Sequence, residues 1–436
     1  GDLNTPGTLL HDTWTAIAAS PESGLKFLAE AAFSAMIYET AWHEEDATDY
    51  ADSDGFGNWL YPDTSWDGLS GWALRLHNHA RDAASLALAA AWADSVRSGA
   101  LSSWSPTRSW FQDTDLDGEN EVILRNGLVW TLWHNRGGRC LLAARYDHAR
   151  GDAVLSLGNP LANPSAPGEE EYSDQRATRC SGFKVMNGSY ADDAFVLFPA
   201  GHGLTAMSGD GLVELAHALP TGTDTLSTSV IEQVPGALFL RSGLNPDLQR
   251  LLKTGPAVLS RTYDGGSLST SNWYRLAAGG VNVTVLADGA GFVESPLHSG
   301  YDRRDLALTE ELEVVGDGVF GYRTVFGAAA TPTGVADEPA PQVPIVAGLR
   351  AAPNPFNPRT TITFELRGSA RVSLWVLDVR GRAVRTLIEE APYTAGAHEA
   401  VWDGFDAAGR RAAGGVYLLR LEAGDVVAVE RVVMVE

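Results

Sequence analysis

Apolar residues in the first hundred positions recur with helical spacing. Leu25, Leu28, Ala29, Ala32, Phe33, Met36 and Ile37 fall at i, i+3 and i+4, which predicts a helix with one stripe turned toward a core. Ser20-Pro21 suits the start of that helix, a hydroxyl cap followed by a residue with no N–H to leave unpaired. A second long helix is predicted from about residue 69 to 96, ending near Gly99, and its stretch 83–92 is almost wholly small or apolar. Between the helices lies a loop of about 25 residues, 44–68, carrying Asp46, Asp49, Asp52, Asp54, Trp59, Tyr61 and Trp66. Loops of that length are uncommon unless they serve a function.

From about Ser105 to Gly327 the period changes. Short apolar runs at 121–124, 129–133, 195–198, 237–240, 281–286 and 319–325 are broken by Gly, Asn and Pro, which predicts a large antiparallel β-sandwich. Residues 328–344, rich in Ala, Thr, Pro and Gly, read as a linker. The remainder alternates again: Ile362, Phe364, Leu366; Val372, Leu374, Val376; Tyr417, Leu419, Leu421. Gly381, Gly396, Gly404, Gly409 and Gly414-Gly415 punctuate these runs, and about seven short strands predict a small immunoglobulin-like sandwich. The expected fold is therefore multidomain and mainly β: a helical domain at 1–104, a sandwich at 105–327, a linker at 328–344 and a small sandwich at 345–436.

Charge and composition narrow the function. The chain has 436 residues, 44% of them hydrophobic, and 55 acidic against 32 basic side chains give a net charge of -23. Such a polyanion repels phosphate backbones, so nucleic acid and anionic membranes are poor partners. No apolar run reaches the roughly 18–20 residues that span a bilayer. The chain opens at Gly1 with neither Met nor a signal peptide, so a processed or truncated chain is expected, its true start lying upstream. Cys140 and Cys180 allow either one bridge in an oxidising compartment or two buried thiols.

The sharpest chemical motif is Asp113-x-Asp115-x-Asp117-Gly118. Alternate carboxylates before a glycine-permitted turn can wrap a hard cation such as calcium, with the Glu119 backbone carbonyl as a further ligand. Leu124 stands where an EF-hand loop would place its glutamate, so this is not an EF-hand, and Glu121 is the substitute donor. The bland alternative is a solvated acidic turn entering a strand. Asp49, Asp52 and Asp54 before Gly55 form a second, weaker candidate.

A carbohydrate-binding surface is the other candidate. Glu39 and His43 lie one helical turn apart, and His79 and Asp82 are three apart, so each pair can share a face. Eight of the thirteen tryptophans fall before residue 111, including Trp42, Trp59 and Trp66 around the acidic loop. Indoles stack on pyranose rings while carboxylates and imidazoles take the hydroxyls. The competing reading is domain-packing aromatics and satisfied core histidines. A zinc site would need His43, His77 and His79 to converge, but His77 and His79 point to different sides of a helix. Nucleophile-elbow, phosphate-loop, His-Glu-x-x-His and Cys-x-x-Cys signatures are absent, so no catalytic residue is assigned.

Five ordered motifs then carry a resemblance. They are Pro353-Asn354-Pro355-Phe356-Asn357-Pro358, residues 374–382 (LWVLDVRGR), Ala395-Gly396-Ala397-His398, Trp402-Asp403-Gly404, and residues 414–421 (GGVYLLRL). This segment resembles the FlgD-like immunoglobulin domain and is similar to the C-terminal sorting domains of the type IX secretion system. The resemblance implies export across an outer membrane, the secretion machinery as a partner, and a secreted, cell-surface location. Glu39-Thr40-Ala41-Trp42-His43-Glu44, residues 77–84 (HNHARDAA) and residues 113–122 (DTDLDGENEV) look like the region that follows the catalytic barrel in glycoside hydrolase family 57-like proteins. The family's catalytic carboxylates lie on the barrel and not on these motifs, so neither nucleophile nor acid is carried over. The expectation is a bacterial protein that binds or positions a polysaccharide or surface glycan; any hydrolysis of α-glucan would need a barrel upstream. The rival expectation is a structural or adhesive protein assembling as a homo-oligomer.

Overall fold

A computed structural model describes residues 3–40, 71–116, 118–160, 183–185, 190, 193–234, 237–244, 248–254, 260–278, 281–294, 310–327, 346–366, 368–378, 382–423 and 426–435. Three helices open the chain: α1 (Leu9–Ala19), α2 (Gly24–Thr40) and α3 (Gly71–Arg97). Thr8 caps α1, its hydroxyl accepting the His11 N–H at 3.4 Å. The expected role of Ser20-Pro21 is corrected: Ser20 closes α1 instead of opening α2. Its N–H and hydroxyl both donate to the Ile17 carbonyl, at 3.1 and 2.8 Å, and its backbone is extended. The cap of α2 lies three residues on, where the Ser23 hydroxyl accepts the Lys26 N–H at 3.1 Å. Pro21 favours an extended residue before it, which ends α1 at that point.

The α2 stripe packs as its spacing predicts, with Leu25, Leu28, Ala29, Ala32 and Phe33 all buried. Facing it, α3 buries Ala80, Ala83, Leu86, Ala87, Ala89, Ala90, Trp92, Ala93 and Val96. The many alanines let the helix backbones approach closely while adding little side-chain entropy cost.

The β region begins with β1 (Arg108–Gln112), β2 (Glu121–Arg125), β3 (Val129–His134), β4 (Arg139–Asp147), β5 (Asp152–Leu157) and β6 (Phe183–Val185). Next come β7 (Phe195–Ala200), β8 (Gly203–Ser208), β9 (Val213–Ala218), β10 (Thr225–Glu232) and β11 (Leu238–Leu244). A short helix, α4 (Leu248–Thr254), precedes β12 (Ser260–Tyr263), β13 (Trp273–Ala278) and β14 (Val281–Asp288). The zone closes with β15 (Gly291–Glu294), β16 (Glu310–Gly316) and β17 (Val319–Phe326). They form two antiparallel sheets. The first runs β1-β2-β3-β4-β5-β11-β16-β15, with β6 beside β11 and β4; the second runs β12-β13-β14-β17-β10-β9-β8-β7.

The period-2 alternation decides what covers each face of the first sheet. Ile123, Trp130, Leu132, Leu142, Ala144, Tyr146 and Leu155 point to the helices and share one apolar cluster with them. Val122, Leu124, Trp133, Cys140 and Leu157 point the other way and pack on Leu204, Leu215, Val230, Val285 and Tyr322 of the second sheet. A strand covered on both sides reads as a continuous apolar run, which is why β2 and β3 show no polar face. The sandwich interior also holds His217, with Nδ1 3.0 Å from the Thr228 hydroxyl and its ring 4.0 Å from that of Trp133. Cys140 is a buried free thiol; Cys180 lies outside the described residues.

The final module comprises β18 (Val346–Ala352), β19 (Thr360–Leu366), β20 (Ala370–Asp378), β21 (Ala383–Tyr393), β22 (Gly396–Trp402), β23 (Gly415–Ala423) and β24 (Val426–Met434). Sheets β18-β19-β22 and β21-β20-β23-β24 enclose their own core, an immunoglobulin-like sandwich. Trp402 plugs it, fully buried, with Tyr417 edge-on at 4.9 Å and Phe356 at 5.3 Å. Its indole N–H donates to the Phe405 carbonyl at 3.1 Å, so the buried polar atom is satisfied.

Candidate functional site

Two polar clusters sit where the helical layer meets the first sheet. The first is the β1–β2 turn. Asp113, Asp115 and Glu121 bring one carboxylate oxygen each to within 4.8 Å of the others. Asp113 shapes the turn by accepting the Leu116 N–H at 2.8 Å and the Gly118 N–H at 3.2 Å. Leu116 (φ 64°) and Gly118 (φ 86°) both take the left-handed region, which a glycine enters without strain and a leucine does not. Glu121, buried at the start of β2, accepts from the backbone N–H (2.8 Å) and hydroxyl (2.9 Å) of Thr114. Thr114 in turn meets the Ser85 hydroxyl of α3 at 3.1 Å, so the turn is pinned to the helix.

Of the five residues named as cation ligands, the structure therefore brings together Asp113, Asp115 and Glu121. Glu119 is exposed on the turn and is not one of this trio, and Asp117 lies outside the described residues. Three hard oxygen donors of this kind can hold a metal ion.

The second cluster spans α3 and the β3–β4 turn. His79 and Asp82 are both buried on α3, and His79 Nδ1 lies 2.9 Å from the Pro160 carbonyl. Arg81, between them in sequence, acts electrostatically on His134 of β3, as do Arg136 and Arg139. The turn is self-braced: His134 Nδ1 accepts the Arg136 N–H at 3.1 Å, and Arg139 Nε donates to the Arg136 carbonyl at 2.6 Å. Burial first, then the positive charges of Arg139, Arg136 and Arg81, push the His134 pKa down to about 3. Its imidazole is neutral at physiological pH and offers one donor or acceptor per nitrogen instead of a charge.

Sequence reasoning named His79 and Asp82 but missed Arg81, His134, Arg136 and Arg139. The signal was present as a polar run, residues 134–139 (HNRGGR), between two apolar strands in a chain short of basic residues. Glu39 lies in the last turn of α2. Trp42, His43, Trp59 and Trp66, with the second acidic candidate Asp49, Asp52 and Asp54, lie outside the described residues.

Residues 354–425 match the FlgD Ig-like domain family. No curated protein matches the sequence. Among solved structures, the chain is similar to the 4-alpha-glucanotransferase from Thermococcus litoralis, with 9% identity, a TM-score of 0.35, and coverage of 73% of this chain and 51% of that one. Heparan sulfate lyase HepC from Pedobacter heparinus gives 12% identity, a TM-score of 0.29, and coverage of 67% and 42%. PorZ, a surface component of the type IX secretion system of Porphyromonas gingivalis, gives 11% identity, a TM-score of 0.17, and coverage of 73% and 56%. The chain thus spans about half the length of the glucanotransferase and less of the lyase. No residue role follows from likenesses this distant. Among the described residues, no helix is long and apolar enough to cross a membrane.

Proposed function

We propose that this chain is the carbohydrate-positioning part of a secreted, surface-associated bacterial protein, similar to the non-catalytic C-terminal region of family 57-like glycoside hydrolases. The observation that carries the reading is the approach of Arg81, on the helix that also buries His79 and Asp82, to His134, Arg136 and Arg139 of the β3–β4 turn. Guanidinium forks, the neutral His134 imidazole and a carboxylate supply the mixed donors and acceptors that sugar hydroxyls need. In this reading Trp42, Trp59 and Trp66, in the sequence between α2 and α3, are the residues that stack on sugar rings. Calcium at Asp113, Asp115 and Glu121 holds the β1–β2 turn against α3 and so braces the same seam. The FlgD-like domain serves as address or attachment module for the secretion machinery.

Affinity electrophoresis of the full chain through gels containing soluble starch tests this. Retarded migration is expected, with weaker retardation for Arg81→Ala and for Trp59→Ala, the latter by about 1 kcal/mol of lost stacking. Migration unchanged by starch, together with no binding to any polysaccharide on a glycan array, overturns the proposal.

A further inference from the structure

Trp104 is the most exposed tryptophan among the described residues, 76% open to solvent, yet the chain on both sides of it is tied down. Before it, the Leu101 N–H donates to the Ser95 carbonyl of α3 at 2.8 Å. A tight turn follows, in which the Ser102 N–H donates to the Ser105 hydroxyl and the Ser105 N–H to the Ser102 carbonyl, both at 2.9 Å. That carbonyl passes so close to the β2–β3 turn that a Cβ on Gly127 would collide with it. After Trp104, the Thr107 hydroxyl donates to the Leu219 carbonyl at 2.6 Å, and its N–H to the Thr221 hydroxyl at 3.2 Å. Asn126 holds the same β9–β10 turn, its amide donating to the Pro220 and Thr223 carbonyls at 3.1 and 2.9 Å.

The indole rests on that turn. Gly222 has φ 77°, and a Cβ there would stand 2.6 Å from the indole Cε3 and Cζ3. The ring therefore fills space that any other residue's side chain would need. A seat of this kind fixes the ring before anything binds, which lowers the ordering cost of binding. Its surroundings are mostly polar. Ser103 and Ser105 flank Trp104 in the chain, Thr221 and Thr223 flank Gly222, and the Ser103 hydroxyl lies 3.3 Å from Nε2 of the exposed His148. Nearby charges are paired, Arg145 with Asp224 at 3.7 Å and Arg150 with Asp147 at 3.5 Å. A protein contact would surround a central tryptophan with apolar neighbours. An exposed indole rimmed by hydroxyls and an imidazole fits a pyranose instead, whose C–H groups stack while its hydroxyls hydrogen-bond.

We infer that Trp104 is the stacking platform of a second carbohydrate site, one that takes a neutral pyranose ring. The β2–β3, β4–β5 and β9–β10 turns meet there through Gly127, His148 and Gly222. Arg81 approaches the β3–β4 turn, at the other end of β3, roughly 17 Å away along the strand. One sugar ring cannot touch both, so this site does not rest on the seam of Arg81 and His134. A glycan long enough to reach both gains avidity from the pair.

Fluorine NMR of the full chain labelled with 5-fluorotryptophan tests the site, the Trp104 signal being the one that Trp104→Phe removes. Titration with maltohexaose, cellohexaose, xylohexaose or mannohexaose is expected to move that signal. Trp104→Ala is expected to weaken binding of the same sugar by roughly five- to tenfold in calorimetry, at an unchanged melting temperature. A signal that none of the four sugars moves overturns the inference. So does one moved only by an oligogalacturonate, or only by self-association at high protein concentration. The shift is expected to persist in Arg81→Ala. Starch retardation lost in Arg81→Ala but kept in Trp104→Ala, with the signal unmoved, upholds the seam and overturns this site.

Discussion

Helices α1–α3 cover one outer face of the large sandwich, and the immunoglobulin-like domain covers the other. The helical cover is continuous with the sheet beneath it: one cluster runs from Ile17 through Phe33 and Trp92 to Trp130, Tyr146 and Leu155. The second cover touches its sheet through Phe198, Met207, Leu377, Leu418 and Val429, while the domain keeps a separate core around Trp402. At about 1.5–3 kcal/mol for each large apolar side chain buried, the first contact makes helices and sheet one cooperative unit and the second joins two that fold on their own. The difference shows why Arg81 and His134 belong to a rigid seam and the Arg420 bond to the Pro199 carbonyl to a separable one.

The strongest way to break that comparison is Trp130→Ala. It is expected to cost about 3–5 kcal/mol and to unfold helices and large sandwich in one transition, followed by circular dichroism in denaturant. Independent melting of the helices would refute the single-unit view. Next is Leu418→Ala, expected to weaken docking by roughly 1.5–3 kcal/mol while both domains stay folded, read as an increase in scattering dimension. If the immunoglobulin-like domain melts instead, the seam is part of its core.

Acid sharpens the picture further. His134 in the helix–sheet seam and His217 in the sandwich interior are both held near pKa 3, each chiefly by burial. A base with a folded pKa below its unfolded value of about 6.5 contributes its stability above pH 6.5 and loses it as pH falls toward 3. Denaturant titrations should therefore show stability dropping by up to about 1.4 kcal/mol per pH unit for each histidine. His217→Asn should remove one histidine's share of the slope, and an unchanged slope would dismiss His217 as its source. The smallest effect expected is from calcium, about 1 kcal/mol at fivefold excess over its Kd. It should raise the sandwich melting temperature and not the docking, and be absent in Asp115→Asn.

Much of this was legible along the chain because it is local. The stripe from Leu25 to Phe33 and the alternation at Ile362, Phe364 and Leu366 report the period of the backbone, which depends only on near neighbours. Ser20-Pro21 misled because a serine before a proline suits either end of a helix, and only the bonds to Ile17 settle which. The acidic turn was half legible. Asp113 and Asp115 stand two apart, but Glu121 joins them because the hairpin register opposes Gln112 to Glu121 and brings the ends of the turn together.

The amino-acid order alone determined the element types, the two kinds of sandwich, the FlgD-like module and the strong negative charge, since each follows from composition or short-range periodicity. Tertiary structure alone decided which sheet faces are covered and by what. It brought Arg81 toward His134 across 53 positions, and Arg420 to the Pro199 carbonyl across 221. A side chain's burial and its neighbours' charges depend on how distant segments pack, and no local pattern encodes that packing.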